Sequence, residues 1–176
     1  MKKAAKRPGS ATRRPVILFL VRCLAYWGAA LLLVSRVPAV EEAGVNLTLS
    51  TLQLVIGGFG QKVQRFGSAL VAGSASIEIV SDCSPHMPFL IFAAVVLAFP
   101  ASWRQRLLGI LFGAVVIHLF NTVRILTLIW VLAWRQSWFD FVHVYLWQTG
   151  TILIVFATFA LWITTLGRRP AVPKPA

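Results

Sequence analysis

An all-α membrane protein, built as a bundle of four transmembrane helices with both termini in the cytoplasm, is the fold class this sequence predicts. Three observations carry the prediction. Hydrophobic residues make up 58% of the 176 positions, with a mean hydropathy of +0.78. Four apolar runs approach or exceed the ~20 residues a membrane-spanning helix needs. The basic residues cluster in three places: the first 14 positions, Arg104 and Arg106 between the second and third runs, and Arg168, Arg169 and Lys174 after the last. Eleven of the 17 lysines and arginines then fall on one side if the runs alternate, which is the positive-inside pattern of a bilayer protein. The net charge of +12 is accounted for in this way, and no basic, aromatic-laced soluble surface remains for nucleic acid. The expected partner surface is the lipid bilayer.

The elements follow in chain order. Residues 1–15 form a basic cytoplasmic tail, and 16–34 the first transmembrane helix. A cleaved signal peptide competes with this reading, because a charged start precedes the run and Val37-Pro38-Ala39 has the look of a cleavage site. The run exceeds the ~7–15 residues of a signal core, which favours an uncleaved anchor. Arg22 can snorkel back to the inner face. Residues 35–82 are the one long polar segment and are expected outside, in the periplasm. Within it Leu52, Val55, Ile56, Phe59, Val63 and Phe66 recur at helical spacing, which predicts an amphipathic helix lying on the outer leaflet, weakened by Gly57, Gly58 and Gly60. A short hairpin about Gly73-Ser74 is expected over 68–80, ending in the alternating Ser76-Ile77-Glu78-Ile79. The second transmembrane helix is expected at 85–101, the third at 107–134 and the fourth at 141–166. A basic cytoplasmic tail, 167–176, closes the chain.

Two cysteines are present. Cys23 falls near the middle of the first span and Cys83 at the outer end of the second, so they are not expected to bridge. Neither has the spacing of a zinc or redox pair. Only five acidic residues exist and none lies within a predicted span, so no metal or other cofactor is expected.

The third span carries what composition does not explain: His118, Asn121 and, deep inside, Arg124. An arginine at such a position costs about 2.5–3.5 kcal/mol on insertion scales, so it is kept for a partner or a task. At ~1.5 Å per residue, Cys83 stands about 28 Å above Ser102, and Arg124 about 27 Å above Arg106. The two reach one depth in the outer part of the membrane. His143 stands about 36 Å above Gly167 by the same rise, an overshoot that a helix tilt removes only in part.

The chemistry of the three favours Cys83 as nucleophile. Ser84 is a favourable N-cap and Pro85 a favourable first helical residue, which puts the thiol beside a helix N-terminus. A helix dipole, Arg124 and a protonated His143 each favour thiolate, and Asp82 opposes it. His143 can take and return the proton, and Arg124 can neutralise an oxyanion. Asn121, one turn from Arg124, is expected to steady the guanidinium or bridge helices. Plainer readings stand beside these. Cys83 can be a small hydrophobe, and Arg124 can pair with Asp140 or Glu78 only to hold helices. His118 reads as a hydrogen-bonded interior residue and His86 as an interfacial one.

Cys83 opens a span ending Ala98-Phe99-Pro100; Asn121-Thr122-Val123-Arg124-Ile125 follows; His143 opens the last span. This ordered set resembles the exosortase/archaeosortase family, in its compact single-domain form, over roughly residues 80–166. Ser84-Pro85-His86 departs from that pattern, where a Gly-containing step is expected. The resemblance implies a membrane-embedded cysteine protease or transpeptidase with Cys83, Arg124 and His143 as catalytic triad. It implies substrates that are exported proteins with a C-terminal sorting signal: a short motif, one transmembrane helix and a basic cluster. The expected setting is the bacterial inner membrane, with the site facing outward. The alternative is a small transporter or assembly subunit in which Arg124 is structural and Cys83 is packing. A weaker third reading is an enzyme acting on a lipid-linked substrate at the outer leaflet.

Overall fold

The computed structural model describes residues 10–72 and 75–166. Residues 1–9 of the tail expected over 1–15, the expected tail 167–176, and Gly73-Ser74, about which the hairpin is expected, lie outside these residues; residues 10–15 are corrected from tail to the first turns of α1. Five α-helices are present among them: α1 (Ser10–Arg36), α2 (Pro38–Gly58), α3 (His86–Ala98), α4 (Trp103–Trp134) and α5 (Trp147–Thr165). Three antiparallel strands lie between α2 and α3: β1 (Val63–Phe66), β2 (Ala69–Ala72) and β3 (Ala75–Glu78).

Three helical stretches are long and apolar enough to cross a membrane: Arg14–Arg36, Trp103–Trp134 and Gln136–Thr165. The protein is thus a multi-span membrane protein, but the expected bundle of four full-length spans is overturned. The stretch 85–101 folds as the 13-residue α3, about 20 Å long against a hydrocarbon core of about 30 Å. Proline trims both of its ends. Pro100 forces Phe99 into extended backbone (φ −68°, ψ 140°), so the helix stops at Ala98. Pro85 likewise leaves Ser84 extended (φ −87°, ψ 152°). The short helix is sheltered instead of exposed: it packs on α1, α4 and α5, with Phe92, Ala94, Val96 and Ala98 buried.

α4 begins at Trp103, one turn before the expected Leu107, because Ser102 and Gln105 form a reciprocal cap. The Gln105 backbone N–H donates to Ser102 Oγ, and the Ser102 N–H donates to Gln105 Oε1 at 2.9 Å. Gly109 and Gly113 then stand four residues apart, the small-residue spacing that lets membrane helices approach closely. A Cβ on Gly113 would overlap the Phe92 ring of α3, and one on Gly109 the Trp162 indole of α5. Trp162 is fully buried and donates from Nε1 to the Gln105 carbonyl at 3.0 Å. These rings and Ile117 form the inner core. Gly113→Ala is therefore expected to destabilise the fold by about 1–3 kcal/mol, the usual cost of overpacking; a lowered melting temperature in detergent checks this.

The outer segment also differs from expectation. The amphipathic helix expected over Leu52 to Phe66 lies earlier, as α2. Pro38 opens it, a position where its missing N–H costs nothing, and it ends at Gly58, after which Gly60 turns the chain with φ +78°. Leu49, Leu52 and Ile56 on one face of α2 pack with Leu70, Ile79 and the α4 residue Ile125. Val63 and Phe66, expected on the helix, belong to β1, a strand the hydrophobic pattern does not announce. Gly67, at φ +61°, is the first of two residues linking β1 to β2, where hairpins favour glycine. The hairpin expected over 68–80 corresponds to β2 and β3, paired Ala69↔Glu78 through Ala72↔Ala75. This layer covers the outer half of α4 and sets the height of the residues that follow it.

Candidate active site

Cys83 closes a 3₁₀ turn, Ser81–Cys83, that descends from β3 towards α3. Helix α3 starts at His86 with Pro85 in the capping position, so the expected N-cap role of Ser84 is corrected. Extended backbone before Pro85 aims the buried Ser84 hydroxyl at His86 Nδ1, 2.5 Å away, and no side chain caps the helix. Cys83 thus sits three residues ahead of the helix, not at its first turn. The Asp82 side chain, expected to oppose thiolate formation, lies outside the described residues.

What holds Cys83 in place is α4. Asn121 is 5% exposed and its Nδ2 donates to the Cys83 carbonyl at 2.9 Å. It thus ties α4 to the turn before α3, and no hydrogen bond joins it to the Arg124 guanidinium among the described residues. Arg124 follows one turn later on the same helix. Arg124 Nη2 donates to His143 Nε2 at 3.2 Å. A guanidinium only donates, so Nε2 is the acceptor and the neutral imidazole carries its proton on Nδ1.

His143 lies in a π-helical turn, Phe141–Leu146, ahead of α5. Such wider turns interrupt α-helices mostly as single turns, often at functional sites. Here the turn absorbs part of the height by which His143 overshoots Arg124 in a straight α-helix. The Phe139 ring lies 5.5 Å from the imidazole and tilted 35° to it.

In the C-terminal half of α4, Arg124 is linked to His143 and Asn121 to the Cys83 backbone. The Cys83 sulfur is hydrogen-bonded to neither Arg124 nor His143 among the described residues. Glu78, weighed as a partner of Arg124, instead accepts from Ser68 Oγ at 3.1 Å. His118 meets Thr51 of α2, with Oγ1 and Nε2 2.9 Å apart, a contact the sequence did not identify. Cys23 is half-buried in α1 and free. No cluster of three metal-ligating side chains occurs among the described residues.

Two cavities border these elements. An outer cleft of about 520 Å³ is bordered by Val80 and Ser81 of that turn, and by Glu41, Asn46 and Arg65. Arg65 is tied down there, donating to the Asn46 side chain and the Gly67 carbonyl. The second cavity, about 510 Å³, is lined by Arg124, Pro88 and the outer turns of α5. Arg124 Nε is buried and has no hydrogen-bond partner among the described residues. The polar residues Gln148, Thr149 and Thr151 on that wall are absent from the sequence-based site; their signal was a polar trio in an otherwise apolar span. Comparison of the chain with protein-family models, curated proteins and solved structures gave no match in any of the three.

Proposed function

We propose that the protein is a membrane-embedded cysteine peptidase or transpeptidase of the exosortase/archaeosortase kind. It cuts the C-terminal sorting signal of exported proteins at the outer face of the bacterial inner membrane. One observation carries this reading: the 3.2 Å contact between Arg124 and His143, on the helix that also pins the Cys83 backbone. Arg124 and His143 are in contact, the Cys83 backbone is bonded to the same helix one turn away, and all three residue types suit acyl transfer, which supports this reading.

The chemistry follows from the geometry. In the resting state Arg124 occupies the lone pair of His143 Nε2. A substrate carbonyl entering beside Arg124 offers the guanidinium a better acceptor, and Nε2 is released to take the Cys83 proton. The thiolate sulfur bonds to the carbonyl carbon, and the electron pair displaced to oxygen is held by Arg124. Collapse breaks the C–N bond, and the proton on His143 passes to the leaving amine. Water or an acceptor amine then attacks the thioester, giving its proton to His143 and expelling Cys83 as thiolate, which is reprotonated. The Asn121 bond keeps the Cys83 backbone fixed through both steps.

The same Arg124–His143 bond also joins α4 to the π turn, and this favours a second reading in which the arginine only holds helices in a transporter or assembly subunit. Alkylation separates the two. A membrane-impermeant maleimide added outside intact cells is expected to label Cys83 and stop processing of exported precursors in step with labelling. Continued processing after complete labelling excludes the peptidase reading.

A further inference from the structure

We infer that the cavity beside Arg124 holds the substrate's peptide backbone where it enters the membrane, and that Gln148 is the residue that positions it there. This rests on the peptidase reading above. Ile152, Leu153, Phe156 and Leu161 form the exposed surface of α5, as lipid contact requires. Gln148 and Thr149 break that surface: both are exposed, and neither has a hydrogen-bond partner among the described residues. Thr151 differs, returning its hydroxyl to the Trp147 carbonyl at 2.8 Å. In hydrocarbon an amide without a partner is unfavourable, so Gln148 calls for one.

The partner's chemistry can be read from the wall. Arg124 lines this cavity, and a guanidinium only donates. Gln148 presents both a donor and an acceptor. A peptide group, with one C=O and one N–H, satisfies both faces. Lipid ester oxygens only accept and would leave Gln148 Oε1 unmatched, so the wall favours a peptide over a lipid. Pro88, in the first turn of α3 and five residues beyond Cys83, lines the same cavity, which puts it beside the start of the helix that follows the cysteine. Gln148 touches the substrate away from the bond being cut and acts by holding its register.

Photocrosslinking in cells carrying the gene at its natural locus tests this. The photoreactive residue p-benzoylphenylalanine replaces Gln148, or Phe156 as a lipid-facing control, in the Cys83→Ala background. Adducts from position 148 are expected on uncut precursors, within a few residues of the start of their C-terminal span, and adducts from position 156 are not. Lipid adducts alone, or none, at position 148 while precursors accumulate overturn this inference and leave the peptidase reading standing. Normal maturation in Cys83→Ala cells removes both. In the wild-type background, Gln148→Leu is expected to slow processing about tenfold, the scale of a lost hydrogen bond, with the external alkylation rate of Cys83 unchanged and partial rescue by Gln148→Asn. Unchanged processing by Gln148→Leu also overturns the inference.

Discussion

Cys83→Ala is expected to abolish precursor processing, a loss on the order of 10⁶-fold if the nucleophile behaves as in other triad enzymes. Cys83→Ser is the sharper variant. It preserves size, and the Asn121 bond goes to the backbone carbonyl, which the substitution leaves in place. A serine hydroxyl is far less acidic than a thiol and has only the His143 lone pair to activate it, so processing by Cys83→Ser is also expected to fall below detection. Mass spectrometry of exported proteins for retained C-terminal spans measures both. A Cys83→Ser variant that processes normally would make the cysteine a packing residue.

Arg124→Leu has the next largest expected effect, a fall of about 10²–10³-fold in processing, the usual consequence of losing one oxyanion donor. Two functions leave the site with this side chain, the donor and the anchor of His143 Nε2, so a control on folding is needed. External alkylation of Cys83 provides it. A catalytic arginine predicts lost processing with the thiol still reachable; an arginine that only joins helices predicts that α4 and the π turn separate and that both readouts change. Arg124→Lys retains charge but presents a single ammonium instead of a planar fork. Part of the lost activity is expected to return with lysine, measured as the processing rate at matched expression.

The candidate residues stand out in the chain because charged and polar side chains inside hydrocarbon are costly and therefore conspicuous. Simple rise-per-residue arithmetic brought Cys83 and Arg124 to one depth, and in the structure Asn121 reaches the Cys83 carbonyl from one turn below Arg124. Hydropathy was blind to the trimming of α3, since Pro85 and Pro100 alter backbone angles without lowering apolar content. It also misplaces α2: the glycines at 57, 58 and 60 do not weaken a longer helix but close α2 and turn the chain towards β1. Ser84 misled in another way. Its type suits a cap, but the proline after it turns its hydroxyl to His86. Gln148 and Thr149 were visible yet were absorbed into a span, because a few polar residues do not change a window average.

The wide turn at Phe141–Leu146 makes residue count, more than side-chain identity, the determinant of the imidazole's aim. An ordinary helix advances about 100° per residue. Removing one amino acid from 144–146 would let the turn tighten into regular helix and swing His143 around the axis, while α5 kept its packing through Phe159 and Trp162. A chain shortened there by a single codon would still insert, pack and expose its thiol, yet present the base to lipid.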